Sequence, residues 1–171
     1  MATVVTPIDV REARPDDAAG IVAILNPIIA ARLYTALDTP VTEDEEREFI
    51  RRFPARGIFH VAIGTADGTV LGFQSMEPFA SYTHAFDHVG VLGTFVDLRR
   101  RRQGIAARLF EATFEAAVRK GYEKIFTFVR SDNDAALATY LAHGFRTVGT
   151  AEKHAKIDGR YVDEIMIEKI L

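Results

Sequence analysis

A chain of 171 residues and 19.0 kDa has room for one domain with a sizeable core and little room for two. Its 48% hydrophobic and 26% charged residues exclude disorder along the whole length, and a net charge of -3 argues against a protein that coats nucleic acid. The absence of cysteine excludes a disulfide scaffold, a thiolate metal site and a cysteine nucleophile.

The longest apolar stretch, Ile21 to Ala31, is interrupted by Asn26 and Pro27. It falls far short of the roughly 20 residues that span a bilayer, so no membrane partner is expected. The N-terminus lacks a basic region followed by an apolar run, so no signal peptide is expected and the chain reads as cytoplasmic. No linker, repeat or low-complexity tract divides it, which predicts one domain over residues 1–171 with its core from about 8 to 170.

Ile8 to Glu12 alternates as a first strand. Pro15, Asp16 and Asp17 then open a helix, with acidic groups at the positive end of its dipole. Ile21, Ile24, Leu25 and Ile28 follow at helical spacing; Pro27 should kink or break that helix and leave a short second piece through Leu33. Thr42 and Glu45 form a capping-box pattern, predicting a helix that buries Phe49, Ile50 and Phe53 and stops before Pro54. Phe59 to Ile63 and Val70 to Met76 flank an Asp67-Gly68 turn and read as a hairpin. His88 to Asp97 is a fourth strand, with Gly93 expected as a bulge. From Gly104 to Lys120, Ala106, Leu109, Phe110, Thr113, Phe114 and Ala117 share one helical face, and Gly121 sits at the C-terminal cap. Lys124 to Val129 is a strand. Asn133 caps a short helix that ends at Gly144. Arg146 to Lys156 and Tyr161 to Ile170 close the chain across Asp158-Gly159. The strand-helix-strand units need parallel pairing and the hairpins antiparallel pairing, so a mixed α/β sheet covered by helices follows.

The segment from Thr94 to Ala106 carries the strongest chemical signal. A strand runs into four consecutive arginines, Arg99 to Arg102, and then into a helix that starts with the small residues Gly104 and Ala106. The first amides of a helix have no internal partner and carry the positive end of its dipole, which makes them a ready phosphate site. Positive charge at that end costs about 0.3–1 kcal/mol per residue, a misplacement that a ligand anion explains and a solvated arginine cluster does not. A nucleic-acid partner is disfavoured by the acidic balance and the lack of interleaved aromatics.

Arg101-x-x-Gly104-x-Ala106 resembles the acetyl-CoA pyrophosphate signature of the GCN5-related N-acetyltransferase superfamily. Asn133-x-x-Ala136-x-x-x-Tyr140-x-x-x-Gly144-Phe145 resembles a second signature of the same superfamily at the expected distance. The resemblance covers the whole chain and looks closest to the phosphinothricin acetyltransferase-like branch, on Asn26, Gly72-Phe73, Pro78-Phe79 and Ser81-Tyr82-x-His84. It implies an α/β fold with a mixed, mostly antiparallel sheet, helices on both faces, and two parallel central strands splayed for acetyl-CoA. Backbone near Phe95 and Val96 would then hold the pantetheine and polarise the acetyl carbonyl. The amides of Arg102, Gln103, Gly104, Ile105, Ala106 and Ala107 would hold the pyrophosphate beside Arg101. Asn133 would contact the pantetheine arm, and Tyr140 would give a proton to the departing thiolate. Asn133 is also a helix cap in its own right, and Tyr140 also reads as an ordinary buried tyrosine on the same helical face.

The resemblance also implies a glutamate base on the fourth strand, ten residues before Arg101, and that position is Val91. His84, Asp87, His88 and Glu77 are the nearby base candidates; a water relay or an amine that binds already neutral are the alternatives. Tyr34, Thr35, Phe79 and Tyr82 are substrate-pocket candidates by resemblance, and equally ordinary core or loop aromatics and polars. The five histidines show no ligand spacing with carboxylates, so no metal is expected. The function that follows is acetyl transfer from acetyl-CoA to a primary amine, a small amino acid or amino-acid-like compound, by direct attack in a ternary complex. Alternatives are a protein N-terminal or lysine acetyltransferase, or an acyl-CoA-binding sensor that does no chemistry. The resemblance admits a homodimer, which the residues themselves do not decide.

Overall fold

The computed structural model describes residues 7–171, and the leader-peptide expectation, resting in part on residues 1–6, lies outside them. Strands β1 (Ile8–Glu12), β2 (Ile58–Gly64), β3 (Val70–Pro78), β4 (Val89–Val96), β5 (Lys124–Arg130), β6 (Arg146–Ile157) and β7 (Arg160–Ile170) form one sheet in the order β1-β2-β3-β4-β5-β7-β6. Among the described residues only β4 and β5 run parallel, and α3 (Ile105–Arg119) is their crossover. Helix α4 (Asp134–Ala142) leads to β6, but β7 inserts between β5 and β6, so every other pairing is antiparallel. None of the helices among the described residues is long and apolar enough to cross a membrane.

Helices cover both faces. On one face, α1 (Ala18–Ala30) buries Ile21, Ile24, Leu25, Ile28 and Ile29 against Phe59, Val61 and Phe73. On the other, Phe110 of α3 and Tyr140 of α4 pack with Leu92, Ile125, Val129 and Ile167. The strand alternation of two assigns each residue to one of these layers.

Three expectations are corrected. Pro27 does not break α1, which runs unbroken to Ala30; Leu33 lies beyond it and is 52% exposed. An internal proline costs about 3 kcal/mol. Burying Ile28 and Ile29 beyond it gives about 1.5–3 kcal/mol each, which offsets that cost and keeps the last turn helical. Gly93 is not a bulge: it pairs with Ser75 in an unbroken register, and the irregularities fall instead at Ala62/Ile63, Thr147/Gly149 and Ala151/Ala155. A Cβ at 93 would lie 3.2 Å from the Phe95 ring, which is a packing reason for glycine there.

The third correction concerns α2 (Glu43–Arg51). Its capping box forms, with Thr42 Oγ1 accepting from the Glu45 amide at 3.2 Å. Phe49, however, stays 43% exposed and only edges against Phe53 and Phe59, while Glu46 is the buried residue of the helix. Burial pushes the Glu46 carboxyl above the usual range. A carboxyl raised in the folded state favours folding at low pH and loses that advantage as pH rises through its folded value. Glu46→Gln should therefore stabilise the fold at pH 7 by on the order of 1 kcal/mol, seen as a higher Tm. Thermal melts at pH 4 and pH 7 check this, with the gain shrinking towards pH 4.

Candidate acetyl-CoA site

The sheet opens where β4 and β5 part. Their ladder covers only Val89–Val91 against Lys124–Phe126, while β4 stays paired with β3 through Val96. At the fork, Thr127 Oγ1 donates to the Leu92 carbonyl at 2.5 Å. From Gly93 onward, the edge of β4 that faces β5 has no strand partner among the described residues, so its amides and carbonyls are free for a ligand.

The groove continues from this fork to the start of α3, in a cavity of about 380 Å³. Gly104 caps α3 with φ 80°, and Arg102 is also left-handed at φ 59°. These two turns aim the chain so that the amides of Ile105, Ala106 and Ala107, which lack helical partners, stand at the groove. None of the described residues lies within 4 Å of a Cβ built on Gly104, so the backbone is open to a close-approaching anion.

The four arginines divide their work. Arg99 turns back to buried Asp97, with contacts of 2.9 and 3.1 Å, and this guanidinium holds the Asp97 carboxyl below the usual range. Arg100, Arg101 and Arg102 line the groove. Among the described residues, Arg101 and Arg102 form no ion pair, and the Arg101 guanidinium lies 4.2 Å over the Tyr34 ring. The Tyr34 loop is pinned from the far wall: Arg130 donates to the carbonyls of Arg32 (2.8 Å) and Thr35 (3.2 Å), and Asn133 Nδ2 to that of Tyr34 (3.4 Å).

Asn133 Oδ1 accepts from the Ala136 amide at 3.2 Å, so the helix-cap role is real and leaves the residue on the groove wall. Tyr140, two turns on, is 7% exposed, held edge-on by Phe110 and Phe145. Its hydroxyl donates to Thr94 Oγ1 at 2.9 Å. Burial pushes the phenol up to about 12, with the Thr94 hydrogen bond pulling the other way.

Of the residues singled out by sequence, Phe95, Val96, Arg101, Arg102, Gly104, Ile105, Ala106, Ala107, Asn133, Tyr140 and Tyr34 meet at this groove; Gln103 points to solvent and Thr35 contributes its carbonyl to Arg130. Phe79 and Tyr82 lie outside it, 40% and 82% exposed, with Phe79 packed on Phe86 and Phe126. The His84 side chain is fully exposed and pairs with Asp87 at 2.9 Å; His88 is also at the surface. Glu77 pairs in register directly with Val91 and shares its face of the sheet. Thr94 was missed by sequence reasoning; the signal was a lone hydroxyl at an inward position of an otherwise apolar strand.

The sequence profile of the acetyltransferase (GNAT) family matches residues 29–145, which contain the fork, the arginine turn and the Asn133–Tyr140 helix. The chain belongs to this family. It is an acyltransferase that uses acetyl-CoA to acetylate nitrogen. A relative named "Putative phosphinothricin acetyltransferase YwnH", from Bacillus subtilis (strain 168), is 27% identical over 153 residues, 90% of this chain and 93% of its own. A crystal structure described as a putative phosphinothricin N-acetyltransferase is 25% identical, with TM-score 0.86, over 96% of this chain and 99% of that one. The phosphinothricin acetyltransferase of Sinorhizobium meliloti, solved in complex with AcCoA, shares the fold at 19% identity and TM-score 0.87, over 96% and 88% of the two chains.

Proposed function

We propose that the acceptor is the primary amine of a small amino acid or amino-acid-like compound, and that it attacks acetyl-CoA directly in a ternary complex. The observation that carries the reading is the continuity of one groove from the α3 amides to the β4–β5 fork, with the Tyr140 hydroxyl beside the fork. The pyrophosphate would lie on the amides of Ile105 to Ala107, and the thioester against the free edge of β4 near Phe95. The amine nitrogen attacks the acetyl carbon, the carbonyl oxygen takes up negative charge, and the carbon–sulfur bond then breaks with a proton from Tyr140 going to sulfur. The chain has no cysteine to carry an acetyl intermediate, which favours direct attack. The full-length similarity to phosphinothricin acetyltransferases favours a small acceptor over a protein one.

With Val91 where a glutamate base would stand, the amine binds neutral. The test is the pH dependence of kcat/KM for CoA release, with two amines whose pKa values differ by about two units. The acidic limb should follow the amine and move by about the same amount. A fixed limb, together with an inactive Glu77→Gln variant, would overturn neutral binding and make Glu77 the base.

A further inference from the structure

Three polar side chains run in a line from the middle of the sheet to the groove. Gln74 on β3 is wholly buried and pairs in register with Thr94 on β4. Gln74 Nε2 donates to Thr94 Oγ1 at 2.8 Å, and the Tyr140 hydroxyl donates to the same oxygen at 2.9 Å. Gln74 Oε1 has no hydrogen-bond partner among the described residues.

A threonine hydroxyl has two acceptor sites and one proton. Here Gln74 and Tyr140 fill both acceptor sites, and the Thr94 proton is committed to neither. When the Tyr140 O–H turns towards the groove, its oxygen becomes an acceptor for that proton. We propose that Gln74 and Thr94 are positioning residues for the proton that Tyr140 delivers: Gln74 fixes the Thr94 oxygen, and the Thr94 hydroxyl changes from acceptor to donor as Tyr140 swings to the leaving sulfur. This inference rests on Tyr140 acting as the general acid.

The step balances. The carbon–sulfur bond breaks and its electron pair goes to sulfur. The Tyr140 proton moves to sulfur, and the phenolate oxygen accepts the Thr94 hydrogen bond until a proton returns from solvent, replacing the one the amine has lost. A phenol raised by burial to about 12 holds its proton far more tightly than a thiol of ordinary pKa about 8.5. A donor to the developing phenolate favours its charged form and brings the two closer. In place of Gln74, an apolar side chain of like size would fill the same space without leaving a buried amide oxygen alone, so the amide is explained by what it holds.

The experiment measures kcat, KM for acetyl-CoA and Tm for Thr94→Val, Thr94→Ser and Gln74→Met, alone and combined with Tyr140→Phe. Thr94→Val should lower kcat by about tenfold or more, a share of the 10²–10⁴ that general acid catalysis supplies, with KM for acetyl-CoA nearly unchanged. Thr94→Ser should restore most of that rate. Gln74→Met should lower kcat while leaving Tm unchanged or higher. With Phe at 140, neither Thr94→Val nor Gln74→Met should reduce kcat further, because the proton they position is gone. Losses that simply add to those of Tyr140→Phe, or a Thr94→Val enzyme at full rate, overturn the proposal. If Thr94→Val does not fold, a Gln74→Met enzyme at full rate overturns it instead. If Tyr140→Phe itself keeps kcat within about threefold, the general-acid reading fails first, and the two failures are told apart by that single variant.

Discussion

Tyr140→Phe should lower kcat by about 10²–10⁴-fold while leaving acetyl-CoA affinity and the fold nearly intact. The ring is held by Phe110 and Phe145, and phenylalanine keeps both contacts. The one hydrogen bond lost is that to Thr94, and Gln74 still serves the Thr94 oxygen. The stability cost is then about 0.5–1.5 kcal/mol, or a few degrees in Tm for a chain of this size. The arginine turn and the α3 amides lie further along the groove, so KM for acetyl-CoA should hold. The mismatch in acidity works against the kinetic loss, since a weaker acid gives less help to the leaving thiolate. Moving a proton from a phenol that burial holds at about 12 to a thiolate whose thiol has an ordinary pKa of about 8.5 is uphill by several kcal/mol. Tyr140 is useful only while its environment reduces that gap in the transition state. A kcat within about threefold of the parent would mean that the thiolate leaves without this residue.

The cofactor half of the groove was legible because it is local. Gly104, Ala106 and the arginines lie within a few residues of one another, and the dihedral of Gly104 shows why the turn needs glycine. Asn133 and Tyr140 are seven residues apart on one helix, so their shared face follows from helical geometry. What was not legible depends on partners distant in sequence. Thr94 and Gln74 are joined only because the β3–β4 register puts them opposite each other, and no pattern within either strand fixes that register. The same register brings Glu77 across from Val91. Pro27 misled for a related reason: the local rule for proline is correct in sign, and the burial that outweighs it comes from Phe59 and Phe73 on other strands. The arginine run read as four equivalent cations, yet Asp97, two residues before Arg99, takes one of them out of the groove.

Gly104→Glu should abolish the thermal stabilisation that acetyl-CoA gives the parent. A ligand at about 100 times its Kd stabilises the folded state by about 2.7 kcal/mol, which for a chain of this size is roughly 5–11 °C in Tm. The open space at Gly104 would admit the carboxylate where the pyrophosphate is proposed to lie, and like charge there would repel the ligand. A side chain at φ 80° is also strained, so the unliganded variant should lose about 1–3 kcal/mol of stability and melt lower. Gly104→Ala separates the two effects. It carries the strain without the charge, and so should lose Tm in the absence of ligand yet keep a clear acetyl-CoA shift. A Gly104→Glu variant whose acetyl-CoA shift equals the parent's would move the pyrophosphate away from the start of α3, since no anion held by those amides tolerates a carboxylate beside it.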